Sequence, residues 1–363
     1  MTSPSVLPPE ALRSAVAAAV RAPSIHNTQP WRFRIVAGAT GSAGGATDAP
    51  DRIELFADRD RNLRVLDPSG RQLVLSCGAA LLFLRVALRA QGLEVTVQLL
   101  PDGDPQLGSG DETGPTAERL AVVEVRDGRP ATDVELALAA AIGVRHMQRS
   151  PFEARSLPAE TLTALRRAAE AESAWLHVLR RRDDQLALIA LLAHADAAER
   201  ADESYREELR AWIRTDASTD GIPTDVLPDA GPRHTEVVLR DFTPDSEGRP
   251  ADTASPGPVD EHPVVVVLGT DADTVEDHLR AGMALAHLLL TATGLGVGAS
   301  PLGQVLDWEG PRSQLKAQLQ LPGQPQMVLR LGFGAPGSDT SSSGTSSSGA
   351  STARRPLEEV LIP

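Results

Sequence analysis

An α+β fold built from two related, fused units is what this sequence predicts. Short alternating segments such as WRFRIV (31–36) and RIELFA (52–57) read as strands and are interleaved with longer helical segments. Two of the helical segments are apolar nearly all round, which places them in the middle of the protein. The two also repeat each other. Gly78, Ala80, Leu81, Leu84 and Gly92 in the first are matched, at the same spacing, by Gly282, Ala284, Leu285, Leu288 and Gly296 in the second. Each is also preceded by an arginine, Arg71 and Arg280. Chance likeness of two Ala/Leu helices is the plain alternative; the sharper reading is a duplicated unit with a pseudo-two-fold axis.

In chain order, residues 10–22 read as a helix that stops before Pro23. The two strands at 31–36 and 52–57 follow, joined by a Gly-rich hairpin tip. Asp67-Pro68-Ser69-Gly70 opens the first apolar helix, which runs to about Gly92. LEVTVQLL and ERLAVVEV are strands around another Gly/Asp-rich loop. Helices are expected at about 133–142, 158–172 and 183–214, strands at 174–180, 263–270 and 326–333, and the second apolar helix at about 275–293. The expected organisation is an N-terminal half, 1–132, and a C-terminal half, 133–363. The latter carries a lid-like excursion at 199–262 and a low-complexity, flexible loop at 337–351.

Composition narrows the function. The formal net charge is -14, which argues against nucleic acid as a partner. Arginine carries nearly all the cationic work, since Lys316 is the only lysine. Cys77 is the only cysteine, so the chain can form neither an internal disulfide nor a cysteine metal cluster. The histidines show no metal-ligand spacing. The N-terminus does not read as a signal peptide, and Arg85 and Arg89 interrupt the most apolar stretch. The expectation is a soluble cytoplasmic protein with no membrane partner.

The densest chemistry lies in Arg21-Ala22-Pro23-Ser24-Ile25-His26-Asn27-Thr28-Gln29-Pro30-Trp31. Two prolines rigidify a run in which Ser24, Asn27 and Gln29 can present hydroxyl and amide groups to a flat ring with alternating donors and acceptors. The same side chains can instead satisfy the loop's own backbone. Arg145, His146 and Arg149, in RHMQR, and the pair Arg354-Arg355 suit a phosphate, because the guanidinium fork matches its oxygens. Gly294-Leu295-Gly296-Val297-Gly298-Ala299 mimics a dinucleotide fingerprint but closes a helix instead of opening one.

The loop at 23–27 resembles the flavin-contacting loop of the nitroreductase family. Asp67-Pro68-Ser69-Gly70-Arg71 and Ser76-Cys77-Gly78-Ala79-Ala80-Leu81 resemble its Acg-type branch of actinobacteria, in which two such units are fused. The likeness runs from residue 10 to 361 apart from the Gly/Ser insertions. It implies an antiparallel sheet in each half, buried central helices, and an FMN site assembled from both halves. Pro23, Ser24, Asn27 and Gln29 would come from the first half. Arg145, His146, Arg149, Arg354 and Arg355 would hold the phosphate. The turn Ser300, Pro301, Leu302, Gly303 and Gln304 would pass along the ring, with Gly303 and Gln304 giving backbone donors. Each part occurs once, which implies one flavin per chain. Met147 and Thr352 depart from the family pattern and remove expected phosphate contacts.

The function so implied is an FMN-dependent oxidoreductase that uses NADH or NADPH. It would transfer hydride through flavin N5, by a ping-pong scheme, to a small acceptor such as a nitroaromatic or a quinone. The cofactor carries the chemistry, so no catalytic side chain and no metal are expected. Since fusion supplies the partner half, a monomer is expected. A second reading is a lidded flavin-binding or flavin-sequestering protein with little turnover. A third is a scaffold with no cofactor.

Overall fold

Pro9 at the first helical position and the stripe Leu12, Ala15, Val16 and Ala19 start the chain as an amphipathic helix, α1 (Pro9–Ala19), whose apolar face is buried. The computed structural model describes residues 8–38, 49–103, 118–148, 151–216, 218–224, 261–334 and 352–363. Arg149, most of the lid-like excursion (225–260) and the loop expected at 337–351 lie outside these residues. The first half continues with β1 (Trp31–Val36), β2 (Asp51–Ala57), α2 (Arg71–Ala90), β3 (Leu93–Leu99) and β4 (Glu118–Asp127). Its strands form an antiparallel sheet in the order β1-β2-β4-β3.

The helix α3 (Asp133–Val144) is opened by a capping box between Thr132 and Glu135. It is followed by α4 (Ala159–Glu170), β5 (Trp175–Val178), α5 (Arg182–Ala201), α6 (Glu203–Trp212) and the short paired strands β6 (Ile213–Arg214) and β7 (Ile222–Pro223). Then come β8 (Val264–Thr270), α7 (Val275–Gly294), β9 (Gly298–Pro301), α8 (Gln304–Asp307), α9 (Glu309–Gln318), β10 (Gln324–Gly332) and α10 (Leu357–Val360). The second sheet is also antiparallel, in the order β5-β8-β10-β9. A single helix was expected over 183–214. It breaks at Asp202, whose extended backbone ends α5 and whose carboxylate caps the N–H groups of Ser204 and Tyr205 to start α6.

The elements α1, β1, β2, α2, β3 and β4 recur, in the same chain order and the same sheet order, as α4, β5, β8, α7, β9 and β10. The central helices match residue for residue: Arg71 to Val275 and Ala90 to Gly294 are both 204 apart. They cross where neither has a side chain. A Cβ on Gly78 would lie 2.2 Å from Leu279 O, and one on Gly282 would lie 1.9 Å from Leu75 O. These contacts exchange under the same 204-residue offset, as a pseudo-two-fold axis requires. Arg71 and Arg280, read as equivalents in the sequence, are not. Arg71 opens α2, whereas Arg280 is the sixth residue of α7 and corresponds to Ser76. α2 is long and apolar enough to cross a membrane, yet most of it is buried within the protein.

The halves differ in how their sheets are covered. The second packs α4 and α7 on one face, through Leu165, Leu285 and Leu329, and α5, α8 and α9 on the other, through Leu192, Val305 and Leu315. The first sheet carries a polar ladder of ion pairs, Arg34–Glu54–Arg119–Asp102, outside its core.

Asp67 precedes α2 and accepts the N–H of Leu73 at 2.9 Å. Burial raises its carboxyl to about 6, against the pull of the Gln72 and Leu73 amides and Arg71. Its folded value exceeds an unfolded value of about 4, so ionisation is disfavoured in the folded protein by about 3 kcal/mol. The stability this group confers is therefore full below about pH 4 and lost as pH rises through 6. Denaturation of Asp67→Asn and the parent at pH 4 and pH 7.5 is expected to show the variant gaining about 2–3 kcal/mol on the parent over that interval. A constant difference would contradict the assignment.

Candidate functional site

The segment Pro23–Gln29 folds into a loop that the backbone alone would not choose. His26, Asn27 and Gln29 have φ of 45°, 54° and 50°, in the left-handed region that costs non-glycine residues of order 1 kcal/mol or more each. Side chains offset that cost. Ser24 Oγ accepts the N–H of Gln29 at 3.0 Å, Arg61 donates to Thr28 O at 2.8 Å, and Ser76 Oγ accepts the N–H of Ile25 at 3.4 Å. Gln29 is the keystone: its Nε2 donates to Thr219 O at 2.8 Å and its Oε1 accepts the N–H of Arg355 at 2.9 Å. The hydroxyl of Ser24 and the amide of Gln29, expected to face a ligand, thus brace the loop itself.

The C-terminal tail returns to the first half. Leu361 bridges Phe33 and the N–H of Ile362 donates to Phe33 O at 2.8 Å, while Asn27 Nδ2 donates to Ala353 O at 3.2 Å. Arg354 is thereby held beside the loop. The other arginine of the tail has a different use. Arg355 is 8% exposed, donates to Gln29 O and Glu359 O, and lies 3.7 Å from Asp58. The structure occupies it structurally, because a buried guanidinium takes whichever carbonyl and carboxylate partners surround it.

Arg145 ends α3 and is 8% exposed. Its Nη2 donates to Arg21 O at 3.0 Å, its guanidinium lies 5.8 Å from the Phe83 ring, and its Nε is buried without a partner. Arg354 donates only to carbonyls of its own tail, Thr352 and Ala353, and its Nε is likewise buried and unpartnered. Among the described residues no carboxylate pairs with either. Burial and the repulsion of Arg354 and Arg21 push Arg145 down to about 9, and burial and Arg21 push Arg354 down to about 10. One buried and one part-buried cation without counter-ions among the described residues, in a chain with an excess of acidic residues, form a place for an anion. His146 is exposed at the start of the following segment, and Gln148 ties that segment to the second sheet through its N–H to Ala299 O at 2.7 Å.

These parts line one face of α2. Gln72, Ser76, Ala79 and Phe83 follow the i, i+4, i+7, i+11 stripe. Gln72 donates to Asp307, at the end of α8, at 2.9 Å; Ser76 meets the loop; Phe83 lies under Arg145. Eleven residues of helix span about 16 Å. The expected ring-side turn therefore lies toward one end of the face and the arginines at the other. Within that turn Ser300 is buried, Pro301 exposed and Gln304 buried, with Gly303 between. Leu302 points away: its side chain is in the outer core of the second sheet and its N–H is spent on Val328 O. Cys77 is inert packing, its thiol raised by burial and donated to Pro30 O at 3.1 Å. No metal-binding group of three or more ligands occurs among the described residues.

The pseudo-two-fold axis carries the stripe onto Glu276, Arg280, Met283 and His287 of α7, and carries Pro301 and Gly303 onto Val97 and Leu99. Most of these residues line a cleft of about 290 Å³ together with Arg85 and the turn Ala171–Ser173. That turn replaces the whole 20–30 loop, since α4 and β5 are joined by residues 171–174 alone. Here the charges cancel. Arg280 pairs with Glu276 and donates to Ser173, and Glu172 joins Arg85 to His287. Although burial opposes it, His287 and Arg85 hold Glu172 below the usual carboxylate range. The mate of the α2 face is self-neutralised, whereas the arginines at the end of the α2 face have no carboxylate partner among the described residues.

Comparison with known proteins places the chain among its relatives. The Nitroreductase family model matches residues 142–334. Over 355 residues the chain is 32% identical to a Mycobacterium tuberculosis protein named as an NAD(P)H nitroreductase, Rv3131, covering 97% of this chain and 91% of that one. It is 29% identical to the M. tuberculosis acg protein, also named as an NAD(P)H nitroreductase, over 97% of this chain and 95% of that one. Among solved structures, a nitroreductase from Anabaena variabilis superposes with a TM-score of 0.45 at 12% identity, over 87% of this chain and 82% of its own. An FMN-bound nitroreductase from Bacteroides fragilis does so with 0.34 at 16% identity, over 58% and 95%. The family match and the 32%-identical relative define an oxidoreductase class. The chain belongs to the nitroreductase family.

Proposed function

We propose that the α2 groove holds one FMN per chain, and that the protein passes reducing equivalents from NADH or NADPH to a small acceptor such as a nitroaromatic or quinone. The observation that carries this reading is the pair of guanidiniums without counter-ions, buried Arg145 and part-buried Arg354, each with an unpartnered buried Nε, at the end of a helix face long enough for a phosphorylated chain bearing a three-ring system. The residues fit the group. Arg145 and Arg354 offer donors to a phosphate, and the buried, unpartnered Oδ1 of Asn27 offers an acceptor. Gln72, Ser76 and Ala79 form a small, largely neutral floor. FMN, when bound, supplies the hydride chemistry, so the protein's own work is to bind, orient and exclude water. Gln29 fixes the loop, Gln148 fixes Arg145 relative to β9, and the turn at 300–304 bounds the ring-side end.

The same reading divides the chain at 132/133 into two nitroreductase-like halves and needs no second chain. A cytoplasmic monomer acting on small molecules, without nucleic acid or membrane, belongs to it. A flavin-sequestering protein with little turnover is the second reading, and one observation favours it. The segment after α6 is fastened onto the loop by Gly221 N–H to Asn27 O, Gln29 to Thr219 O, and Arg61 to Asp220. Anaerobic mixing of the reconstituted protein with NADPH, then NADH, separates the two. Loss of the oxidised flavin spectrum within seconds supports the oxidoreductase. A spectrum stable to both donors but lost with dithionite supports the sequestering protein.

A further inference from the structure

Arg21 lies outside every part of the site assigned so far. It sits on the solvent side of the Arg145–Arg354 pair, exposed, just before Pro23. Its Nη2 donates to Gly143 O at 3.1 Å, in the last turn of α3, while its own carbonyl accepts Arg145 Nη2 at 3.0 Å. The two arginines therefore clasp each other across the junction of the halves, each side chain on the other's neighbourhood of backbone. One hydrogen bond uses little of a guanidinium with five N–H donors. Among the described residues no carboxylate pairs with Arg21, and its charge opposes those of both Arg145 and Arg354. Three mutually repelling guanidiniums held together without an acid among the described residues would each gain from a shared anion.

We propose that Arg21 is a further phosphate-binding residue of this site, closing the anion pocket from solvent; this rests on the reading that the groove holds FMN. A residue that only caps the end of α3 would have the same bond to Gly143, so the test must separate phosphate contact from scaffolding. Riboflavin has the ring and side chain of FMN without the phosphate. Apoprotein would be titrated with FMN and with riboflavin, following flavin fluorescence, for the parent, Arg21→Ala and Arg21→Lys. The expected result is an FMN affinity about tenfold weaker in Arg21→Ala, most of it restored in Arg21→Lys, and a riboflavin affinity unchanged in both. Equal losses for both ligands would make Arg21 a helix cap, and no loss for either would remove it from the site; each overturns the proposal. Failure of the parent to bind FMN or riboflavin would instead overturn the reading beneath it.

Discussion

Arg145→Leu is expected to abolish retention of FMN while leaving the apoprotein at least as stable as the parent. The two effects have one cause. In the apoprotein Arg145 is 8% exposed, repelled by Arg354 and Arg21 and paired with no carboxylate among the described residues, so its charge is a cost to folding. Leucine forfeits the guanidinium's contact with the Phe83 ring and one hydrogen bond, to Arg21 O, but presents an apolar side chain to that ring. Replacement of an uncompensated buried charge by an apolar side chain is neutral to stabilising. An increase of about 2 °C in Tm is expected. With phosphate present the balance inverts, because two charge-assisted hydrogen bonds at about 1.5–3 kcal/mol each correspond to a 100-fold or greater loss of affinity. A variant that unfolds more readily than the parent and still binds FMN would refute both halves of the expectation.

Gly282→Ala is expected to cost about 3 kcal/mol or more, or to prevent soluble expression. The methyl group would fall 1.9 Å from the Leu75 carbonyl oxygen, so α7 would have to move away from α2 along the whole crossing. No flexible side chain is available to give way, since the obstacle is backbone. Gly78→Ala should behave alike, its methyl meeting Leu279 O at 2.2 Å. The control is Gly310→Ala in α9, where nothing lies within 4 Å and helix propensity should make the change neutral or stabilising by about 0.5–1 kcal/mol. Chemical denaturation of the three variants measures this directly. Similar behaviour of Gly282→Ala and Gly310→Ala would mean that the helix crossing is looser than described.

Features carried by local pattern were legible in the sequence. The α2/α7 repeat was visible because a close helix crossing demands glycine at one spot and small residues around it, and the requirement is written twice. Strands of alternating residues and the loop between Pro23 and Pro30 were visible for similar reasons. Arg145 and Arg354 stood out as arginines in the two segments that resemble the family's phosphate contacts. What sequence could not reveal depends on which partner a side chain meets. Gln29 and Arg355 have the right chemistry for a ligand, yet they meet each other and Asp58, residues distant in the chain. Leu302 lies in the expected ring-side turn but, just past the end of β9, packs into the outer core of the second sheet. Arg21 passed unassigned because its importance comes from Gly143 and Arg145, more than 120 positions away. The self-neutralised mate of the groove was invisible for the same reason: Glu172, Arg85 and His287 are unremarkable until the fold places them together.

The most direct test of the central claim is a count of FMN per chain. Apoprotein would be saturated with FMN, desalted, and its flavin absorbance compared with its protein concentration. One FMN per chain is predicted, because Arg145 and Arg354 leave one end of the α2 face cationic while Glu276–Arg280 and Glu172–Arg85 cancel the charge of its mate. Two per chain would contradict the reading of the second cleft as self-neutralised, and none would contradict the assignment of the α2 face.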